Sequence, residues 1–337
     1  MATELSVPGG FEGPYRELRQ GAGACWLRRD FIRVRGADSL EFLQGQLTQD
    51  VSSLDIGGSV ESLLLSPEGR LDAYLRVTRL SEDELVLDVA AGWGNSVLER
   101  LERFRLRTRV DMDILDWKCL SIKGPGTSRL GILTGEIAGA EGVLEAPRAL
   151  RSYDDGVFVN AQWPGLPGLD VLGPAPLVPA GVCLISDESP AQIKPVPAWE
   201  AAWDAVRIEA GMPTMGAELT TASIPAETGL VDRTVSFTKG CYTGQELVAR
   251  MHARGSSAPR RLCGLVFRDQ EAPPGGSEVR FENTPCGMVT TSSFSLELGV
   301  PVALAFLARK ISVPNDVSVV YQGRVFAADA RLLPLIG

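Results

Sequence analysis

The stretch SVESLLLSPEGRLDAYLRVTR, residues 59–79, predicts two β-strands joined by the turn PEG. On either side of this hairpin, further strands are predicted at residues 30–35, 83–90 and 118–124. Helices are predicted at residues 36–51 and about 94–105, each with apolar side chains along one face. The resulting order of strand, helix, three strands, helix and strand predicts an α+β layer with antiparallel pairing, not a doubly wound parallel sheet.

The ends of the helices and the second half of the chain add three expectations. In the helix at 36–51, Asp38 is the expected N-cap, with Glu41 three residues later. Residues 198–211, AWEAAWDAVRIEAG, predict a helix that ends at a glycine. From about residue 258 helical periodicity ends, and successive short strands with turn residues between them predict a small β-barrel.

Composition excludes several classes of protein. The 337 residues exceed what one core usually organises, and the net charge of −9 argues against a broad nucleic-acid or anionic-membrane surface. The chain has six cysteines but no CxxC pair, and this spacing argues against a zinc or iron–sulfur site held by four cysteine ligands. His252 is the single histidine, so a multi-histidine metal site is impossible and a Ser-His-Asp mechanism would rest on one residue. No secretory signal and no membrane-length apolar stretch is visible, so we expect a soluble, cytoplasmic protein.

The stretch SFTKGCYTGQELVAR, residues 236–250, holds a candidate reactive cysteine. Lys239 lies two positions before Cys241, and a helix is expected to begin close after it. A cation and a helix N-terminus both favour a thiolate. The alternative is a buried, inert cysteine in a tight turn, since cysteine often serves as a small hydrophobic residue.

Three segments together resemble one family. RIEAGMP (207–213), IPAE (224–227) and KGCYTGQELVAR (239–250) resemble the YgfZ-type folate-binding iron–sulfur cluster repair proteins, which are related to the glycine cleavage T-protein, an aminomethyltransferase. GADSLEFLQGQLTQDV followed by LLLSPEGRLDAYLRV is similar to the N-terminal half of that family.

The resemblance implies a ring of three domains around a central folate pocket, with a barrel as the last domain. The domains would be an α+β folate-binding domain at 20–125, a second α+β domain at 126–257 and a β-barrel at 258–337. Members of the family support assembly or repair of iron–sulfur enzymes, including ones that modify tRNA. The implied cofactor is therefore tetrahydrofolate or a folate derivative. The implied partners are iron–sulfur proteins or their assembly factors, with no direct nucleic-acid or membrane binding.

The resemblance also assigns residues to the folate pocket. Trp26 and Trp203 match tryptophans that line it, and an indole face suits stacking on a flat pterin. From periodicity alone, Trp203 would be a core residue. Glu227 would accept two hydrogen bonds from the pterin, and its alternative is a solvated loop residue.

Three arginines could meet the glutamate tail of the folate, namely Arg207, Arg250 and Arg254. The alternatives are a pair between Arg250 and Glu246 at i, i+4 and, for Arg207, a charge on a wet helix face.

Two functions follow from different residues. In the first, a folate-binding repair factor depends on the thiol of Cys241, whose pKa Lys239 helps to lower. In the second, an active aminomethyltransferase or demethylase uses Asp72, which lies where the aminomethyltransferases carry an orienting aspartate. The alternative for Asp72 is a turn residue, which is the interpretation favoured here, and so is the first function, a binding factor and not a conventional enzyme.

Overall fold

The structure is a computed structural model. It describes residues 10–128, 130, 150–153, 156–179, 181–186, 198–253, 255 and 258–337.

The helices and strands in these ranges are numbered in chain order. The helices are α1 (Glu12–Gln20), α2 (Ser39–Gln46), α3 (Gly94–Glu102), α4 (Ala198–Ala210), α5 (Val231–Thr234) and α6 (Gln245–Ala253). The strands of the first half are β1 (Gly23–Leu27), β2 (Arg29–Arg35), β3 (Ser59–Leu65), β4 (Leu71–Arg79), β5 (Glu84–Ala90), β6 (Asp111–Leu115) and β7 (Lys118–Lys123). The middle strands are β8 (Leu150–Tyr153), β9 (Gly156–Asn160), β10 (Gly168–Gly173) and β11 (Cys183–Leu184). The last strands are β12 (Arg260–Phe267), β13 (Glu278–Phe281), β14 (Thr284–Ser295), β15 (Val300–Ala308), β16 (Asn315–Tyr321) and β17 (Arg324–Arg331).

The first sheet has the strand order β3-β4-β5-β2-β6, and all its pairs are antiparallel. Alternate residues of each strand point to α2 and α3, as Ile32 and Val34 of β2 do. They form a core with Leu43 of α2 and Leu101 of α3. The opposite face of this sheet, which includes Phe31, turns toward a second sheet.

The second sheet has the order β11-β1-β7-β10-β9-β8. One of its faces meets the first sheet, where Phe31 and Val86 pack against Cys119, Val157 and Leu172. Burial of these side chains from water holds the two sheets together along part of their length. Beyond this contact the space between the sheets is lined by charged side chains, and there the candidate site lies.

The C-terminal unit is a closed barrel with the strand order β12-β15-β14-β13-β16-β17. Leu265, Phe267, Val319 and Phe326 are among the residues that fill it. Closure leaves no unpaired sheet edge. Ile208 of α4 packs on the outside of the barrel, so this helix connects the barrel to the two sheets.

A buried carboxylate ties α1, α4 and the C-terminus together. Glu209 of α4 is fully buried and accepts hydrogen bonds from Tyr15 at 2.5 Å and from Nε of Arg19 at 2.8 Å. The backbone N–H of Leu335 donates to the carbonyl oxygen of Glu209 at 2.7 Å. Burial, followed by the nearby Glu209 carboxylate, raises the pKa of Tyr15. None of the helices in the ranges described above is long and apolar enough to cross a membrane.

The structure confirms the predicted α+β class and the C-terminal barrel. It differs from the expectations drawn from the sequence in several details. The helix expected at 36–51 ends at Gln46, because Leu47 is extended and bridges Leu64. Asp38 makes no side-chain cap, since its carboxylate binds the backbone and guanidinium of Arg109. The boundary expected at residue 125 falls inside one sheet, because β1 and β7 pair with β10 and β11.

Candidate functional site

A cavity of about 220 Å³ lies between the two sheets, where α4 and the loop after it cover one side. β3, β4, β7 and β10 contribute charged residues to its wall, and Trp163 and Trp203 contribute indole rings. The centroids of the two indole rings are 4.8 Å apart, and their planes meet at 68°. The site is therefore a polar chamber with an aromatic wall.

Arg76 of β4 is the centre of an ionic network that joins the sheets. Its Nε lies 2.8 Å from Asp88 of β5, and its Nη1 lies 2.8 Å from Asp170 of β10. Arg29 adds a second contact to Asp88 at 2.5 Å, and Ser121 donates to Asp170 at 2.6 Å. Burial alone would raise the pKa of Asp170, but Arg76, Lys123 and the Ser121 hydrogen bond outweigh it and hold that pKa below its ordinary value.

Lys123 of β7 reaches into the cavity beside this network. Its side chain is 2% exposed, and its Nζ donates to the carbonyl oxygen of Ala161. Nζ lies 4.7 Å from the ring centroid of Trp163 and 5.9 Å from that of Trp203. Burial lowers the pKa of Lys123 to about 8. Gly168 makes room for the ammonium, since a Cβ there would lie 2.6 Å from Nζ.

Glu61 of β3 forms a second polar group at the cavity. Tyr74 donates to Oε1 of Glu61 at 2.7 Å, and Nε of Arg233 lies 2.7 Å from Oε2. Burial, then the Glu61 carboxylate, raises the pKa of Tyr74 well above its ordinary value. Both oxygens of Glu61 thus have a donor in place.

Two of the residues expected at the folate pocket do line this cavity, Trp203 and Arg207. Arg207 is 4% exposed, so the alternative of a wet helix face is wrong. Its guanidinium is bound by Asp204 at 3.0 Å, by the carbonyl oxygen of Met212 at 2.7 Å and by Glu218 at 3.1 Å. Glu218, at 0% side-chain exposure, thereby anchors the loop that follows α4.

Trp26 and Glu227 lie elsewhere. Trp26 packs with Leu120 and Ile122 on the face of the second sheet that turns away from the cavity, while Leu27 beside it lines the wall. Glu227 ends the 3₁₀ turn Pro225–Glu227, is 4% exposed, and lies 3.0 Å from Nε of Arg260 on β12. Its alternative as a solvated loop residue is therefore wrong.

The loop that carries Cys241 docks on the end of α2. Lys239 donates from Nζ to the carbonyl oxygens of Gln44 at 2.6 Å, Leu47 at 2.7 Å and Gln49 at 3.0 Å. None of these three hydrogen bonds goes to Cys241. Cys241 itself is exposed, which excludes the alternative of a buried, inert residue. Burial lowers the pKa of Lys239 to about 8.

Asp72 is the extra residue of a β-bulge. Leu65 pairs with Leu71 and Leu64 with Ala73, so Asp72 has no partner across the ladder. Its carboxylate lies 3.1 Å from Nε of Arg100 on α3, and it is not among the residues that line the cavity. Burial raises the pKa of Asp72 even though Arg100 opposes that shift.

The assignments of Arg250 and Arg254 to the glutamate tail of the folate stay predictions. Arg250 is exposed and lies 3.5 Å from Glu246, the i, i+4 pair that the sequence offered as an alternative. Arg254 lies outside the described residues.

Sequence reasoning missed most of the cavity wall. The missed residues are Glu61, Tyr74, Arg76, Lys123, Trp163 and Asp170. A usable signal exists for Arg76 and Lys123, because each is a charge inside a predicted strand otherwise rich in apolar residues. Such a charge needs a buried partner or a functional site.

Comparisons with known proteins agree with this fold. Residues 260–336 match the glycine cleavage T-protein C-terminal barrel domain. An uncharacterized protein of Haemophilus influenzae is 27% identical over 253 residues, which are 74% of this chain and 75% of that protein. An aminomethyltransferase of Corynebacterium aurimucosum is 26% identical over 335 residues, 95% of this chain and 88% of that enzyme. The crystal structure of glycine cleavage system aminomethyltransferase T from Bartonella henselae has a TM-score of 0.81 and 21% identity, covering 98% of this chain and 91% of that one.

The chain is thus aminomethyltransferase-like in sequence. Its fold and its C-terminal barrel are those of glycine cleavage T-proteins.

Proposed function

We propose that this protein binds tetrahydrofolate or a related folate, with the pterin head in the cavity between the two sheets. The observation that carries the proposal is a chamber with an aromatic wall in which the ammonium of Lys123 lies beyond hydrogen-bonding distance of any carboxylate of the described residues. Three other cations of the wall are already paired, Arg29 and Arg76 with Asp88 and Arg207 with Glu218. A flat, carbonyl-bearing ring attached to an anionic tail suits such a wall.

The size of the cavity supports binding of the head alone. Pockets that enclose a drug-sized ligand measure roughly 300–1,000 Å³. The cavity, at about 220 Å³, is smaller. We therefore infer that it would hold a two-ring heterocycle, with the aminobenzoyl-glutamate tail extending toward solvent. When bound, the folate would supply a carrier for one-carbon units. Trp203 and Trp163 would orient the ring, and Lys123 would face its edge.

Isothermal titration calorimetry with tetrahydrofolate under anaerobic conditions tests the binding. We expect one folate per chain and an affinity about two- to tenfold weaker in Trp203→Leu, because aromatic contacts of this kind contribute about 0.5–1.5 kcal/mol. Trp26→Leu is the matched control and should bind as the wild type does. An unchanged affinity in Trp203→Leu would place the ligand elsewhere.

We further propose that the folate-bound protein supports the assembly or repair of iron–sulfur enzymes, including tRNA-modifying ones, through the thiol of Cys241. Two observations support this role. Cys241 is exposed on a loop that Lys239 fixes to α2, so the thiol is presented to a partner from a defined position. Asp72, the residue that a one-carbon transfer would use, is bound to Arg100 outside the cavity.

A second candidate function is folate-dependent aminomethyl transfer, which the name of the Corynebacterium aurimucosum relative favours. One experiment with two variants distinguishes the two candidate functions. Cys241→Ser should abolish complementation of an iron–sulfur-dependent tRNA modification in a deletion strain, while Asp72→Asn retains it. Folate-dependent turnover of an aminomethyl donor that is lost in Asp72→Asn and kept in Cys241→Ser would establish the second function instead.

A further inference from the structure

The ammonium group of Lys123 has more hydrogen-bond donors than the described residues satisfy. A lysine ammonium carries three donors. In the part of the chain that the structure describes, one of them goes to the carbonyl oxygen of Ala161. The nearest carboxylate oxygen, on Asp170, is 3.9 Å away and beyond hydrogen-bonding distance. With 2% of the side chain exposed, the remaining donors face the cavity and the indole rings of Trp163 and Trp203, over which Nζ lies, and not bulk water.

The neighbours of Lys123 cannot easily turn to meet these donors. Asp170 already accepts hydrogen bonds from Arg76 and Ser121, one on each oxygen. Glu61 already accepts from Tyr74 and Arg233. Leaving a buried donor without an acceptor is costly. The arrangement therefore favours a ligand that presents an acceptor to Nζ from the open side of the cavity.

The indole rings limit how that acceptor can approach. Trp163 and Trp203 flank Nζ, so a flat ring lying against this aromatic wall would present its edge to the ammonium. A carbonyl oxygen on that edge would accept from Lys123. An amino group in the same position would bring donors against a cation, and both groups would stay unpaired.

We propose that Lys123 donates a hydrogen bond to a carbonyl oxygen on the ring edge of the bound heterocycle, so that the cavity binds 4-oxo pteridines more tightly than 4-amino pteridines. This inference rests on the proposed folate binding and specifies the chemical class of its ligand. A site built to pair one polar group discriminates strongly against the analogue that cannot pair with it, because the buried group is then left unsatisfied.

Calorimetric titration with folic acid and with its 4-amino-4-deoxy analogue tests the inference. We expect the wild type to bind folic acid at least about tenfold more tightly, the range for a hydrogen bond to a charged group. In Lys123→Met the preference should fall below about threefold. Lys118→Met is the matched control, since Lys118 lies exposed at the other end of β7, and it should keep the full preference.

Each other outcome overturns the inference in a recognisable way. Equal affinities of the wild type for the two compounds would overturn it and leave folate binding intact. A full preference retained in folded Lys123→Met would do the same. Failure of the wild type to bind either compound would overturn the proposed function and the inference together. The wild-type comparison depends on no variant.

Discussion

Cys241 and Cys183 are exposed thiols, whereas Cys25, Cys119, Cys263 and Cys286 are buried. We expect iodoacetamide at neutral pH to label the two exposed cysteines first, because a buried thiol has to wait for local opening of the chain. Peptide mass spectrometry after short labelling times measures this order. Equal labelling of all six would contradict both the burial pattern and the activation of Cys241.

Replacement of Cys241 should separate function from stability. We expect Cys241→Ser to change the free energy of unfolding by no more than about 0.5 kcal/mol, since exposed substitutions rarely do more. Complementation should nevertheless be lost. Cys183→Ser is the matched control, and it should keep both stability and function. A strong loss of stability in Cys241→Ser would show that the residue has a structural role.

Arg76 is the residue on which the ionic network depends. We expect Arg76→Met to lower the free energy of unfolding at pH 7 by about 3–5 kcal/mol, because it removes the buried counter-charge that Asp88 and Asp170 share. Arg33→Met removes a half-exposed pair with Asp113 and should cost less than about 1 kcal/mol. Urea unfolding measures both values.

The cost of Arg76→Met should depend on pH in a fixed direction. The folded-state pKa of Asp170 is held below its ordinary value of 3.8. A carboxyl group of this kind stabilises the fold above its unfolded pKa, and the contribution disappears as pH falls through the folded pKa. The difference between wild type and variant should therefore shrink as the pH is lowered below about 4. A difference that does not vary with pH would exclude the carboxylates as its source.

At the scale of elements, Lys239 connects a loop to a helix end. The C-terminal carbonyl oxygens of α2 lack partners within the helix, and Lys239 binds two carbonyl oxygens at this end, those of Gln44 and Leu47. We expect Lys239→Met to lower the free energy of unfolding by about 1–3 kcal/mol, since it leaves buried carbonyl oxygens without a hydrogen-bond donor. Urea unfolding with Lys118→Met as an exposed control measures the effect. Equal stabilities of the two variants would contradict it.

The elements themselves were predictable where local patterns are strong. The strands around residues 59–79 and the helix at 198–211 were predicted because their apolar residues recur with the period of their element. The strand Asp111–Leu115 was missed, since its residues DMDIL pair with β2 at a sheet edge and only partly bury. The sequence allows two roles for Asp72, because a bulge is defined by pairing with another strand and not by its own sequence.

At the scale of the whole molecule, Glu209 joins α1 to α4. We expect Glu209→Gln to lower the free energy of unfolding by about 3–5 kcal/mol, because it leaves the buried charge of Arg19 with only the half-exposed carboxylate of Glu297, 4.0 Å from its Nε, as a counter-charge. Glu246→Gln breaks an exposed pair with Arg250 and should be nearly neutral. Thermal unfolding measures the stability of both variants. Similar melting temperatures would show that the contacts of Glu209 with α1 contribute little to stability.

The order and type of most elements, the C-terminal barrel and the choice of Cys241 as a candidate can be predicted from the sequence, because these depend on neighbours along the chain. The exposure of Cys241 and the set of residues that share the cavity depend on the tertiary structure. Lys123, Trp163 and Asp170 come together through strand pairing between distant segments, and Trp26 turns away because successive side chains of a strand take opposite faces. A shift of one residue in register would reverse those faces, and no local pattern sets that register.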